Sequence, residues 1–298
     1  MKRPDTVHNN VSFLQGLRSL ATAYDAFIVD LWGVVYEGDK LCYGVFNALS
    51  QLKELGKEVV FLSNSPHRIA PMVKKLERIG VKRHLYQGLL TAGEVTYHEM
   101  RAKTSPFFAK LGNRCFHLGP DEFWEDFSTL DYIPVSTVDE ADFLLVTGTF
   151  GSQDSLSKYD PFFKVCLSRR LPMICACPDP FILTNGEIVI GAGALAAQYQ
   201  QAGGNIFWKG KPEPCVFEYC LEGLKTKDRS KIAVIGDSFV TDITGANAVR
   251  LDAIFIAGGA HAKDLKIKRG ELPDPVRLNT LMRQYNCFAK AVLPAFLW

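Results

Sequence analysis

No apolar run in this 298-residue chain approaches the roughly 18 residues a membrane span requires. A cysteine framework is missing too. Eight cysteines are scattered at irregular intervals along the chain, which argues for reduced thiols rather than disulfide staples. The one close pair, Cys175-Ala176-Cys177, lies in the apolar run Met173 to Cys177 and reads as a buried strand rather than a metal or redox site. The six histidines show no metal-ligand spacing. Charge of one sign is also scarce: 34 basic residues face 32 acidic ones, for a net charge of +2. That excludes the strong field by which nucleic acid or an anionic membrane would be attracted. There is no internal repeat and no low-complexity segment, and Met1-Lys2-Arg3-Pro4-Asp5 leads into polar residues rather than the apolar block of a signal peptide. The expectation is a cytoplasmic protein with small-molecule partners, no nucleic acid and no membrane, and with a homo-oligomer left open.

What is present is enough to build a full core. The chain is 47% hydrophobic and 22% charged, and its length suits one large domain or two smaller ones. Strands alternate with helices. Ala26-Phe27-Ile28-Val29 is a short apolar strand ending in Asp30, and Val45, Phe46, Leu49, Leu52 and Leu55 then recur at helical spacing, with Gly56 as the stop. Val59 to Leu62 is a second strand, ending in Ser63-Asn64-Ser65, and a helix from Ile69 to Ile79 closes at Gly80. This β-α-β-α order predicts an α/β fold with a parallel sheet and right-handed crossovers.

The last third repeats the pattern. Asn205 to Trp208 reads as a strand, Pro214 to Leu224 as a helix, Ile232 to Ile235 as a strand ending in Gly236-Asp237, Thr241 to Arg250 as a helix and Ala253 to Ile256 as a strand. Between the halves, residues 102–203 carry strands of their own at Cys115 to Leu118, Phe143 to Val146 and Met173 to Cys177. They are read as an inserted domain, which divides the chain into 1–101, 102–203 and 204–298. The basic run Lys263 to Arg269 reads as a solvated helical face or loop. Gly191-x-Gly193-x-x-Ala196 fits the dinucleotide fingerprint in pattern. No strand–helix–strand unit with a well-placed acid supports it, and a glycine-rich helix entry is the simpler reading.

In open α/β sheets, ligands sit beyond the carboxyl ends of the strands. Asp30, Ser63-Asn64 and Asp237 all lie at such ends. Phosphoryl transfer to a carboxylate needs an oxygen nucleophile, a divalent cation, a donor for the phosphoryl oxygens and a cationic clamp. Asp30 is the candidate nucleophile, and its second oxygen, with Asp237 and Asp242, could hold Mg²⁺. Ser63 would donate its hydroxyl, Lys211 would neutralise nucleophile and phosphate, and backbone amides around Trp32 and Gly33 would add an anion nest. Taken singly each residue has a plainer reading: Asp30 as a strand-end acid, Ser63 as a turn residue, Lys211 as a surface charge, Asp242 as a helix cap.

Taken together the motifs resemble the haloacid dehalogenase superfamily, and within it the class IIA phosphatases. The resemblance spans nearly the whole chain. It rests on Asp30-Leu31-Trp32-Gly33-Val34, Leu62-Ser63-Asn64-Ser65, Gly210-Lys211-Pro212-Glu213-Pro214 and Gly236-Asp237-Ser238-Phe239-Val240-Thr241-Asp242-Ile243, in that order. Pro178-Asp179-Pro180-Phe181 followed by Gly191-Ala192-Gly193-Ala194-Leu195 is similar to a segment of that family's large cap. The resemblance implies a Rossmann-like three-layer core, an inserted α/β cap of the C2 type, and Mg²⁺-dependent hydrolysis of a small phosphorylated metabolite through an aspartyl-phosphate. It also implies that position 32 lends its backbone carbonyl to the metal. Phe181, Ile182 and Leu183 would give the pocket an apolar wall.

One departure stands out. The family's phosphatases usually place an aspartate two residues after the nucleophile, to protonate the leaving oxygen and later activate water. Trp32 can do neither, because an indole N–H donates but does not titrate. Losing acid–base help lowers the rate by about 10²- to 10⁴-fold, least for good leaving groups. Tyr36, Glu37 and His67 are the candidate substitutes near the core loops. Two function classes therefore stand: a slow or leaving-group-selective phosphohydrolase, and a non-catalytic phosphometabolite-binding or regulatory protein that keeps the fold and metal site. The full set Asp30, Ser63, Lys211, Asp237 and Asp242 favours the enzyme.

Overall fold

The computed structural model describes residues 11–151, 154–184 and 187–298. Met1 to Asp5, and with them the signal-peptide reading, lie outside the described residues. The chain divides into two compact units, one formed by 1–63, 73–90 and 211–298 and the other by 64–72 and 91–210.

The first unit is built on a seven-stranded sheet in the order Ser12–Phe13, Ala291–Leu293, Asp252–Ile256, Ile232–Gly236, Ala26–Val29, Glu58–Ser63, Gly88–Thr91. The pairings from Ser12–Phe13 across to Glu58–Ser63 are all parallel. The central strands are buried along their whole length, as continuous apolar runs must be when helices cover both faces. Val29 lies opposite both Ile235 and Phe61, so Asp30, Ser63 and Asp237 leave three adjacent strands at the same end of the sheet. The chain leaves Ala26–Val29 toward one edge and Ile232–Gly236 toward the other, which makes this the switch point where such sheets place ligands.

Helices flank these strands as the periodicity predicts. Val45–Glu54 buries Val45, Ala48, Leu49 and Leu52, and Gly56 follows it at φ 67°, whereas Phe46 and Leu55, expected on the same face, are exposed. Pro214–Gly223 starts with proline in its first turn and buries Val216, Phe217, Cys220 and Leu221. The helix expected from Thr241 to Arg250 is different. Phe239–Ile243 forms a wide turn in which the Ile243 amide reaches the Ser238 carbonyl at 3.1 Å, and α-helix covers only Thr244–Ala248. Ser238 is the cap, its hydroxyl accepting from the Thr241 amide, and Asp242 is thereby left for other work.

The second unit carries a five-stranded all-parallel sheet in the order Ile206–Trp208, Met173–Cys175, Phe143–Val146, Arg114–Leu118, Ile133–Pro134. Two apolar clusters sandwich it, one around Tyr159, Phe163 and Tyr199 and one around Phe108, Phe127 and Phe143. Cys175 and Cys177 are buried in this sheet region, and all eight cysteines are free thiols. Phe181–Thr184 and Glu187–Ile190 pair antiparallel, so the glycines that follow do not open a strand–helix–strand unit. A Cβ on Gly193 would stand 2.0 Å from the Pro178 carbonyl oxygen, and the glycine is there to let the helix Ala192–Gln201 pack on that backbone. Among the described residues, no helix is long and apolar enough to cross a membrane.

Candidate active site

Asp30 follows directly on a strand of four buried residues, and its amide donates to the Ile235 carbonyl at 2.9 Å. That bond continues the ladder one residue past the strand and fixes the carboxylate at the sheet's lip. Lys211 meets it there. Its ammonium lies 2.5 Å from Asp30 Oδ1 and 2.7 Å from Asp242 Oδ1, and only 2% of the residue is exposed. Far from a surface charge, Lys211 sits in a pair whose rupture by removing one partner costs about 3–5 kcal/mol.

The structure brings Asp30, Asp237 and Asp242 together: one carboxylate oxygen from each lies within 4.8 Å of the others, and all three residues are buried. Two glycines make this approach possible. A Cβ on Gly33 would come within 2.1 Å of Asp237 Oδ2, and one on Gly236 within 2.1 Å of the Asp242 carboxyl carbon. Asp242 Oδ2 also accepts from the Ser238 amide at 3.2 Å, and Asp237 Oδ2 from the Ala260 amide at 2.8 Å. Burial lifts the Asp30 carboxyl well above the usual carboxylate range; the Lys211 ammonium opposes the rise, and Asp242 and Asp237 add to it. Three carboxyl groups and one ammonium share a buried site. An all-oxygen donor set of this kind fits a hard dication such as Mg²⁺, which takes one or two carboxylates, a carbonyl and waters.

Ser63 ends the strand beside Asp30 and is buried. Gly33 does not offer a free amide to an anion, since its N–H donates to the Tyr36 carbonyl at 3.0 Å. Its part is to make room for Asp237. Trp32 packs edge-on against Tyr36, ring centres 5.4 Å apart, and the Lys75 ammonium stands 5.5 Å from the Trp32 ring and 4.7 Å from that of Tyr36. The indole N–H is shielded from solvent and finds no acceptor among the described residues.

The three candidate proton donors differ in their surroundings. Glu37 is engaged by the Arg269 guanidinium. Tyr36 is buried, and burial, with Asp30 next in weight, pushes its hydroxyl upward and makes it a poor acid. His67, in the second unit, pairs through Nδ1 with Asp126 Oδ2 at 2.8 Å. Also in that unit, Asn64 is buried and donates to Asp179 Oδ1 at 2.7 Å, while Phe181 is 60% exposed. Leu183 falls among side chains outside the described residues.

Two residues near the acids escaped the sequence reading. Arg269, placed in a solvated run, sends Nη2 to the Gly33 carbonyl at 3.0 Å and to Cys42 Sγ at 2.9 Å. His261 is buried beside the Asp237 loop. Both lie beyond the carboxyl end of Asp252–Ile256, and applying to that strand the rule that found Asp237 would have drawn attention to His261.

Residues 27–133 match the family model of haloacid dehalogenase-like hydrolases, and residues 208–281 a second model of HAD-like hydrolases. A crystal structure described as a hydrolase of the haloacid dehalogenase-like family from Brucella suis 1330 is 30% identical, with TM-score 0.80 over 95% of this chain and 100% of that one. The D-glycerol 3-phosphate phosphatase of Mycobacterium tuberculosis is 23% identical over 250 residues, which is 83% of this chain and 66% of that protein. The acid sugar phosphatase of Staphylococcus saprophyticus is 22% identical over 264 residues, 84% of this chain and 92% of that protein.

Proposed function

The chain belongs to the haloacid dehalogenase-like hydrolases, and from that premise we propose that it is a Mg²⁺-dependent phosphohydrolase in which Asp30 attacks a small phosphorylated metabolite. The observation that carries this reading is Lys211 bridging Asp30 and Asp242 with Asp237 alongside. A strand-end acid or a cap alone would not need a buried ammonium between two carboxylates. The relatives named for glycerol phosphate and sugar phosphate support a small phosphate monoester as substrate.

Asp30, Asp237 and Asp242 would hold the magnesium, with the Trp32 carbonyl. When bound, the ion supplies positive charge to the phosphoryl oxygens and orients the ester. Lys211 opposes the pull of burial on the Asp30 carboxyl and neutralises the incoming phosphoryl charge. Ser63 donates to a phosphoryl oxygen. For further substrate contacts we propose Trp32, Asn64 and Phe181.

In the first step the Asp30 oxygen bonds to phosphorus as the ester P–O bond breaks. The leaving oxygen takes its proton from solvent, since Trp32 has none to give. Water then attacks phosphorus, the bond to Asp30 breaks, and inorganic phosphate leaves with the nucleophile regenerated. Both steps run without the usual acid and base, so turnover is slow and favours acyl and aryl phosphates.

The test is a screen of acyl, aryl, sugar and nucleotide phosphates with and without Mg²⁺, wild type beside Asp30→Asn. Metal-dependent release of phosphate that the variant abolishes supports the proposal. Saturable binding of an ester by both proteins, with no turnover by either, overturns it in favour of a phosphometabolite-binding protein.

A further inference from the structure

The loop that carries Asp237 and Asp242 is held from one side by the segment Gly258 to Asp264. Two bonds do this. The Ala260 amide donates to Asp237 Oδ2 at 2.8 Å, and the Phe239 amide donates to His261 Nε2 at 3.1 Å. The contact is close enough that a Cβ on Gly259 would stand 2.1 Å from Asp237 Oδ2. His261 itself is 6% exposed and enclosed by the rings of Phe239, Phe255 and Tyr285, at centre distances of 5.3, 6.3 and 5.4 Å.

The chemistry of that imidazole is fixed by its partners. A backbone N–H can only donate, so Nε2 must be bare, and the proton sits on Nδ1, which donates to Asp264 Oδ2 at 3.0 Å. One tautomer satisfies both bonds, and Asp264 selects it. If Nε2 carried a proton it would face the Phe239 N–H, and the bond would become a repulsion. The alternative for Phe239 is a buried amide with no acceptor, in a wide turn that has already given up regular helical bonding. An imidazole spent on a backbone amide within an aromatic cage, two residues from one acid of the cluster, has no part in the reaction itself.

We propose that His261, oriented by Asp264, is a positioning residue that presets the Asp237–Asp242 loop for divalent-cation binding. The inference rests on the proposed magnesium site. It assigns part of that site's affinity to a residue that touches neither metal nor substrate. Groups that orient a metal's ligands from behind are worth about 10- to 100-fold in metal affinity, and His261 acts here through the Ser238–Phe239 peptide, inside the loop between Asp237 and Asp242.

The experiment is isothermal titration of Mg²⁺ into the whole protein, with melting temperature recorded for each variant and kcat and KM for 4-nitrophenyl phosphate alongside. His261→Phe fills the cage but cannot accept from Phe239, and should weaken Mg²⁺ binding by about 10- to 100-fold. His261→Gln offers an amide oxygen where Nε2 stood and should restore most of that loss; Asp264→Ala should weaken binding in the same direction. KM for the ester should hardly move. His261→Phe binding Mg²⁺ as tightly as wild type, or His261→Gln binding as weakly as His261→Phe, overturns the inference. Should His261→Phe fail to fold, Asp264→Ala decides, and unchanged affinity in it overturns the inference. A wild type that binds no Mg²⁺ overturns the proposed function as well, whereas a wild type that binds and variants that bind alike overturn the inference alone.

Discussion

Replacing Trp32 by aspartate asks whether this protein lacks only a proton shuttle. The stability side is a loss, set mainly by the apolar surface the indole covers. The change removes an edge-to-face pair with Tyr36, worth about 0.5–1.5 kcal/mol beyond burial, and a Lys75 ammonium 5.5 Å from the ring, worth about 0.5–1 kcal/mol. It also removes a shielded indole N–H that has no acceptor among the described residues, and an unsatisfied donor of that kind costs about 1–3 kcal/mol. A melting temperature recorded beside the rates establishes that the variant is folded. On the rate side, a positioned acid and base contribute about 10²- to 10⁴-fold, or about 3–5 kcal/mol of barrier.

That gain is selective, which makes it measurable. A phenolate leaves readily without a proton and an alkoxide does not. Trp32→Asp should accordingly raise kcat/KM for glycerol 3-phosphate far more than for 4-nitrophenyl phosphate, narrowing the ratio between them by about 10²-fold or more. The neighbouring carboxylates push the new acid's pKa up, which suits a proton donor at neutral pH, while Lys75 pulls it down. Trp32→Asp/Lys75→Met separates the two influences. If both variants are folded and neither narrows the ratio, the missing-shuttle account is wrong and Trp32 is there to shape the pocket.

Arg269→Ala should loosen the loop after Asp30, because one guanidinium bonds the Gly33 carbonyl, Glu37 and Cys42. We expect a loss of about 1 kcal/mol in a urea melt, small because the side chain is partly exposed, and only slight rescue by Arg269→Lys, which cannot reach three partners at once; no loss in Arg269→Ala would show the tie to be idle. In the second unit, burial depresses His117 to about 4, with Asp121 opposing, while its Nε2 bonds the Thr147 hydroxyl at 2.7 Å. Unfolded, this histidine titrates near 6.5, so the native state binds fewer protons across the interval between, and its contribution is complete above about pH 6.5 and fades as pH falls toward 4. His117→Gln should flatten that part of the melting-temperature profile; a variant with the wild-type acid limb would show that another group sets it.

Asp30, Ser63 and Asp237 were legible because each follows a local signal, an apolar run that ends in a carboxylate or a hydroxyl. Ala26–Val29 before Asp30 and Ile232–Gly236 before Asp237 show it plainly, and Lys211 could be named from its motif alone. Strands of two or three residues, such as Ser12–Phe13 and Ala291–Leu293, are too short for any period to register. They exist because the sheet edge offers hydrogen bonds. The helix expected from Thr241 to Arg250 begins only at Thr244, because Thr241, Asp242 and Ile243 belong to the wide turn. The Ser238 hydroxyl and the Asp242 carboxylate, both bonded to nearby amides, mark that turn.

Arg269 and His261 were missed for a different reason. Arg269 reaches the Gly33 carbonyl across 236 positions, and His261 reaches the Phe239 amide across 22. A bond from a side chain to a peptide group leaves no trace at the receiving end, because every residue type offers the same carbonyl and, proline aside, the same N–H. Sequence therefore displays the groups that perform chemistry, whose side-chain type is constrained, and hides the groups that hold them by the backbone. That asymmetry places the informative variants of this protein at Arg269 and His261, where the wild-type residue looks ordinary, as much as at Asp30, where its purpose is evident.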